Sequence, residues 1–392
     1  MYCYFIELAT NLQNCFGILC YITSNSYLKA EYGFPLRKLL LNQNSLLQII
    51  NVKDYQVFDS AIVNSAVFIS QNKVKGFYPG CIIVNSIYDG NMPFASFIDE
   101  NKHFYLQNEF DVRSWSLANR NTLLLKQKIE TVGPTLEELG TQIRLGIATG
   151  ANYALIINEE TKAQLISRSK HNEDIIKPIL RGRDIFRYYY LEPSLYILLT
   201  KNGINVKFEY PNVYDYLNTF GKKFKTRGAR GNHWANLRAC SFFDDFQNEK
   251  IIWIELTDKG RFALCNDEIY LLNTAYFLLP PPQISARYLL GILNSKLIQF
   301  YLSIIAGTSG MGTLRWINVY VKRFPIPQKQ TNDQLSLIAL TDQILSLKKS
   351  NPQADTSALE AEIDRMVYEL YGLTEEEIAI IEESVREEII GG

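Results

Sequence analysis

The sequence predicts a chain built in three successive styles: a fragment of a doubly wound α/β sheet, an α+β domain, and a C-terminal helical hairpin. Three observations carry this reading. Continuous apolar strands alternate with helical stretches over residues 1–75, short strands mix with helices over 136–328, and apolar residues fall at helical spacing over 329–392. Residues 76–135 read as a connecting region.

In the first part a helical opening leads to a strand at 17–22, the polar TSNSYL, a helix near 35–41, and the apolar strands LLQIINV and AIVNSAVFIS. Strands this apolar are buried on both faces, and three of them alone leave edges and helix faces uncovered. The segment therefore reads as the second half of a larger doubly wound domain. The connecting region ends in a helical TLLLKQKIETVG, and Thr135 with Glu138 forms a capping-box pattern that predicts a new helix. Beyond it, YALIIN, KIIWIEL and NTAYFLL read as strands and ARYLLGILNSKLIQFYLS as helix. After IPIPQ, Leu337, Leu340, Ile344 and Leu347, then Leu359, Ile363, Met366 and Leu370, mark two helices separated by SNPQAD. Thr374 with Glu377 predicts a short final helix, whose acidic face suits packing or subunit contact.

Composition narrows the function classes. With 392 residues, 47% of them hydrophobic, the chain can bury two or three cores of ordinary domain size. There is no uncharged apolar run of about 18 residues, so the expectation is a soluble, cytosolic protein. The six cysteines are scattered without metal-ligand spacing and there are three histidines, which predicts reduced thiols and no metal centre. The overall charge of -1 conceals a strong asymmetry, because residues 355–388 are densely acidic and the rest is basic. The densest basic stretch, KKFKTRGARGNHWANLR at 222–238, holds six Lys or Arg and no acid. Such a block with Gly and Trp suits a phosphate-tracking loop; the alternative is a solvated surface loop.

Five blocks in order, LGIATGANYALIINEE, IIKPILRGRDIFRYYY, FQNEKIIWIEL, YLLGILNSKLIQFY and VKRFPIP, resemble the TaqI-like C-terminal specificity domain of adenine-specific DNA methyltransferases and single-chain type II restriction-modification enzymes. The resemblance spans about 139–327, and KPILRGRDI is its most telling block. Upstream, FGILCYITSNSYLKAEYGFPLRKLLL and VFDSAIVNSAVFISQNK look like the strands that follow the catalytic loop of the same enzymes. Residues 1–75 thus resemble the tail of a methyltransferase sheet without its cofactor half. Where that family often carries an aromatic close after the last strand, this chain reads Ser70-Gln71-Asn72-Lys73.

Methyl transfer to adenine needs a Gly-rich turn for S-adenosylmethionine and an Asn/Asp-Pro-Pro-aromatic loop. This chain contains neither, and Asn91-Met92-Pro93-Phe94 is only a look-alike. Gly146 and Gly150 read as a strand-entry turn rather than a phosphate cradle. No catalytic residue, metal or resident cofactor is therefore expected, while the complete enzyme would use S-adenosylmethionine.

The expected partner is double-stranded DNA, alongside a chain carrying the methyltransferase N-terminal half or an endonuclease. Arg181 and Arg183 flank Gly182 in a turn from which a guanidinium can reach a phosphate or a guanine edge, unless Asp184 pairs with one of them. Lys222, Lys223, Lys225, Arg227, Arg230 and Arg238, with Trp234, form the expected DNA-binding loop, Arg227 and Arg230 contacting phosphate. Thr308, Ser309 and Arg315 lie in a Gly-rich segment suited to phosphate contact or to a plain connection. Asn294, Ser295 and Lys296 read as a helix-end feature. Two rival functions remain open at this level: methyltransferase or restriction activity when the missing half is supplied, and an interaction protein using its C-terminal helices.

Overall fold

The computed structural model describes residues 2–53, 55, 57–58, 63–72, 80–306, 313–328 and 332–390. It divides into two compact units, one of residues 1–130 with 300–315 and 379–392, the other of 131–299 with 316–378.

The first unit opens with helix α1 (Tyr2–Leu12), strand β1 (Ile18–Ser24), helix α2 (Phe34–Gln43), and strands β2 (Asn44–Lys53) and β3 (Ser65–Asn72). These elements fall where the apolar runs place them. Strand β4 (Gly80–Ile87), helix α3 (Phe94–Asn101), strand β5 (Lys102–Leu106) and helix α4 (Arg120–Glu130) follow. The sheet order is β1-β3-β2-β4-β5. The α2 crossover carries the chain from β1 to β2 and leaves a gap one strand wide, which β3 fills antiparallel to both. Only β2 and β4 pair in parallel, so the sheet is mixed. The reading of 76–135 as a connector is corrected here: β4 and β5 complete the same sheet.

Successive residues of a strand face opposite sides of a sheet. Leu19, Leu46, Ile49, Phe68 and Ile83 point to one side and form a core with Ile6, Tyr27, Leu36, Leu40 and Trp115. Ile50, Val52 and Val84 point to the other side, where Phe97 of α3 covers them. Arg37 of α2 is fully buried in the first core. Its guanidinium donates to the carbonyls of Tyr27, Ala30 (2.9 Å), Val112 (2.9 Å) and Arg113 (2.7 Å), tying the β1–α2 turn to the segment after β5.

In the second unit, strand β6 (Gln142–Leu145) leads through a tight turn to helix α5 (Asn152–Leu155) and strand β7 (Ile156–Asn158). The expected strand YALIIN is thus half helix. Helix α6 (Glu159–Arg168) and strands β8 (Ile176–Leu180) and β9 (Leu195–Leu198) come next. Three short helices, α7 (Val206–Glu209), α8 (Pro211–Asn218) and α9 (Gly221–Lys225), lead into the basic loop. Strands β10 (Lys250–Ile254), β12 (Phe262–Cys265), β13 (Tyr270–Leu271) and β14 (Ala275–Leu279) complete two sheets, with the short β11 (Leu256–Thr257) outside both. One has the order β12-β10-β14-β6, the other β13-β8-β9-β7. Residues of both sheets, among them Ile179, Ile197 and Leu198 with Ile252, Ala263 and Phe277, share one core.

Helices α10 (Ala286–Leu293) and α11 (Lys296–Ile305) break at Asn294-Ser295. Asn294 is buried, and its amide accepts from the Phe262 N–H (3.1 Å) and donates to the Phe262 carbonyl (3.0 Å), closing the edge of β12. Asp364 accepts the Lys296 N–H at 2.8 Å. The helix-end reading of these three residues therefore holds. Asn294→Ala removes the partner of the Phe262 N–H, while the Phe262 carbonyl keeps the Tyr188 N–H (2.8 Å), and is expected to lower stability by about 2 kcal/mol in denaturant unfolding.

After strand β15 (Leu314–Arg315) and helix α12 (Asn318–Val321), helices α13 (Asn332–Ser350) and α14 (Ser357–Leu370) pack against each other as the expected hairpin. Helix α15 (Glu375–Ile390) starts at the Thr374 capping box and is 16 residues long rather than short. The Thr135 box behaves differently. Its hydrogen bonds form, Glu138 accepting from the Thr135 N–H (2.8 Å) and Thr135 from the Glu138 N–H (3.2 Å), but no helix follows. Leu136 and Glu137 donate instead to the carbonyls of Phe324 and Lys322, and Gly140 turns the chain at a φ of +73°.

Among the described residues no single helix is long and apolar enough to cross a membrane, and no group of three metal-ligating side chains converges.

Candidate nucleic-acid interface

The basic loop is organised from within by one of its own cations. Arg227 is 7% exposed, and burial pushes its pKa down. Its guanidinium donates to four carbonyls: Thr149 (3.2 Å), Phe224 (3.2 Å), Trp234 (2.6 Å) and Asn236 (2.8 Å). The reading of Arg227 as a phosphate contact is corrected on that geometry. A guanidinium has five donors in a planar fork, and here they face inward, partnering the Thr149 and Trp234 carbonyls and adding a second bond to those of Phe224 and Asn236, which also accept the Arg227 and Gly231 N–H groups. Arg227 holds the loop's shape.

A second joint fixes the loop to the turn after β9. Asn236 is buried and donates to the carbonyls of Lys201 (3.0 Å) and Ile204 (3.1 Å). Thr200 donates through its hydroxyl to the Ala235 carbonyl (2.8 Å), and its own carbonyl accepts from the Leu237 N–H (2.8 Å). At the tip the Asn202 side-chain oxygen accepts the Asn232 N–H (2.9 Å). A Cβ on Gly231 would stand 2.1 Å from that oxygen, so only glycine permits the approach. On the other flank Gly150, at φ +69°, packs against Ala229. The Gly146/Gly150 turn thus abuts the basic loop. Three segments distant in sequence become one rigid surface.

Four other cations of the loop face out. Lys222, Lys223, Arg230 and Arg238 are exposed. Arg230 also donates to the Lys225 carbonyl (2.8 Å), which holds its stem in place. Lys225 is half-buried, its ammonium 4.9 Å from the centre of the Trp234 ring. Trp234 is itself half-buried among Tyr214 (5.0 Å between centroids), His233 (5.1 Å) and Phe224 (5.9 Å), so it supports the loop as well as bordering its surface. His233 and Asn232 are exposed at the tip, and half-exposed Tyr153 lies under the Lys223 ammonium at 5.4 Å. The sequence reading missed Asn202, Thr200 and Asn236, which carry no charge and no motif.

The other sequence candidates fall elsewhere. Arg181 is bound to Asp184 through two hydrogen bonds of 2.9 Å, and the same carboxylate accepts the Arg181 N–H (2.9 Å). Burial alone would raise the Asp184 pKa, but these bonds outweigh it and hold it below the usual carboxylate range. Gly182 between them donates to the Thr274 hydroxyl (2.9 Å), and a Cβ there would meet the Thr274 carbonyl oxygen at 2.4 Å. The corner is a packing device, so Gly182→Ala is expected to cost about 2 kcal/mol of stability, read as a lower urea midpoint. Arg181 is thus the arginine that pairs with Asp184, as the sequence reading allowed, and it stays partly exposed, while Arg183 is exposed. Thr308 and Ser309 lie outside the described residues, and Arg315 is exposed at the end of β15.

In the look-alike segment the Met92 carbonyl accepts the Tyr88 hydroxyl (2.8 Å), Asn91 is bound to Asp89 (2.8 Å), and Phe94 packs on Tyr88 and Phe97. That segment leads into helix α3.

The chain thus holds a two-sheet α+β unit that carries the basic loop, and a second unit built on a mixed five-stranded sheet. Residues 177–326 match the TaqI-like C-terminal specificity domain, and residues 1–58 match the Eco57I restriction-modification methylase family. Among similar proteins are the type II methyltransferase M.BstVI of Geobacillus stearothermophilus, 20% identical over 98% of this chain and 69% of the relative. Another is the type II methyltransferase M.XhoI of Xanthomonas vasicola, 21% identical over 93% of this chain and 67% of the relative. The fold resembles that of the type IIL restriction-modification enzyme MmeI, whose structure was determined in complex with DNA, with a TM-score of 0.60 at 14% identity. That likeness covers 99% of this chain and 51% of MmeI. The chain spans about two thirds of these methyltransferases and about half of MmeI.

Proposed function

We propose that this chain recognises a specific double-stranded DNA sequence as the target-recognition part of an adenine-specific DNA methyltransferase or restriction-modification enzyme. The observation that carries the reading is the loop at 222–238. Lys222, Lys223, Arg230 and Arg238 point outward from a surface that Arg227 and Asn236 lock from beneath. Outward cations on a preorganised backbone neutralise phosphates at little ordering cost. Asn202, Asn232 and His233 at the tip add amide and imidazole groups of the kind that read base edges. The matched specificity domain agrees with this use.

Residues 1–75, with β4 and β5, serve in this reading as the tail of a doubly wound methyltransferase sheet, which acts together with a cofactor half. Methyl transfer, or restriction by the complete enzyme, then depends on that half. The purified chain is expected to show no S-adenosylmethionine binding in calorimetry, and binding at micromolar affinity contradicts the assignment. Duplex binding measured at two salt concentrations tests the DNA reading itself, because phosphate contacts release counterions and require a negative slope.

A further inference from the structure

Two side chains at the tip of the basic loop are held with one hydrogen-bonding function turned inward and the other left outward. Asn202 sits in a turn whose Lys201 and Ile204 carbonyls are pinned by Asn236 (3.0 and 3.1 Å). Its Oδ1 accepts the Asn232 N–H (2.9 Å) and lies against Gly231, where a Cβ would meet it at 2.1 Å. Only the oxygen of an amide can accept an N–H, so this bond also fixes which way the amide faces. The Nδ2 amino group has no partner among the described residues and is what Asn202 can offer to a ligand.

His233 is fixed in the same manner. Its ring packs beside Trp234 (5.1 Å between centroids) and Tyr214 (6.2 Å), and its carbonyl accepts the Asn236 N–H (3.0 Å). Nδ1 accepts the Ala235 N–H at 3.1 Å, so Nδ1 carries no proton. The ring proton of the imidazole then belongs to Nε2, on a side chain that is exposed.

The tip is therefore a donor surface. Asn202 Nδ2 and His233 Nε2 give protons, as do the exposed guanidinium groups of Arg230 and Arg238, and residues 222–238 hold no carboxylate to receive one. Asn232, exposed beside His233, keeps both functions of its amide and can serve either kind of edge. In the major groove guanine presents two adjacent acceptors, N7 and O6. Adenine sets an N6 donor beside its N7, cytosine offers its N4 donor, and thymine has one O4 next to a methyl group. Donors meet guanine at both atoms, whereas adenine and cytosine set donor against donor and leave each without a partner. A free asparagine takes adenine by giving to N7 and receiving from N6, but the Asn202 oxygen is engaged within the loop.

We infer that the tip of the basic loop reads guanine through Asn202 Nδ2 and His233 Nε2, so that the recognised duplex carries a G·C pair there with the guanine edge facing the loop. The inference rests on the proposed function and deepens it by naming the base.

The test uses the full chain and the duplex it selects from a random pool. One G·C pair is expected whose replacement by any other pair weakens binding by about tenfold or more. Asn202→Asp keeps the oxygen that accepts the Asn232 N–H and turns the outward donor into an acceptor. At that position its preference is expected to move from guanine to cytosine, whose N4 donates. The deaza analogue of guanine, which lacks N7, is expected to weaken binding of the unmodified chain by about fivefold or more, an arm that needs no variant to fold. NMR of the ring nitrogens is expected to find the His233 proton on Nε2. A selected motif without guanine overturns the inference, as does a guanine that the deaza analogue replaces without loss. So does a folded Asn202→Asp chain that keeps the guanine preference, or a ring proton on Nδ1. An unmodified chain that retains no duplex at all overturns the proposed function instead.

Discussion

Arg227→Ala is expected to destabilise the specificity domain by about 3 kcal/mol or more, making it the most damaging single substitution in the basic loop. The change strands the carbonyls of Thr149 and Trp234 and takes one of their bonds from Phe224 and Asn236, which still accept the backbone N–H groups of Arg227 and Gly231. Each such loss costs roughly 1 to 3 kcal/mol before any relaxation. Arg227→Lys should recover little of this, because one ammonium cannot span four carbonyls that a planar guanidinium reaches together. Denaturant unfolding of the two variants checks both statements. A change below about 0.5 kcal/mol for Arg227→Ala would place the guanidinium at the surface, as exposed substitutions do.

The second large effect belongs to the outward cations. Replacing Lys222, Lys223, Arg230 and Arg238 together with alanine should leave unfolding nearly unchanged, since all four are exposed. DNA affinity should fall for cognate and random duplex alike, and the log-log salt slope should flatten by about 0.9 for each phosphate contact removed. A residue that reads a base behaves differently, contributing roughly 1 to 3 kcal/mol of discrimination at one position. Restoring Arg230 and Arg238 one at a time separates these behaviours. If neither affinity nor slope moves in the quadruple variant, the loop is a solvated surface.

Arg227 and Arg230 show where sequence reasoning reaches and where it stops. They stand three residues apart in the same basic run, and charge pattern alone treats them as equals. What separates them is the Thr149 carbonyl, 78 residues upstream, and the fold that brings it beneath the loop. Asn236 is hidden for the same reason, since its partners Lys201 and Ile204 belong to a turn more than thirty residues earlier. Arg181 was legible in part, because Asp184 stands at the right spacing to take it. Local signals fared better in the scaffold. The apolar runs of β1, β2 and β3 and the Thr374 box form where the pattern puts them. The Thr135 box carries the same signal, yet its backbone donors found Phe324 and Lys322 before a second helical turn could form. Strand pairing was least legible. Nothing local distinguishes the mixed sheet from a parallel one, and β4 and β5 join it through partners that the 76–135 segment does not announce.

The central claim, sequence-specific DNA recognition by this chain, is tested most directly by selection from a pool of random duplexes. Purified chain is incubated with the pool at moderate salt, and the bound fraction is sequenced over successive rounds. The account predicts convergence on one short motif, bound at least about a thousandfold more tightly than random duplex. Substitution of Asn202 or His233 should relax the motif at individual positions, while loss of the four outward cations weakens binding to every sequence. Failure of any motif to emerge from a pool the chain does not retain would contradict the account.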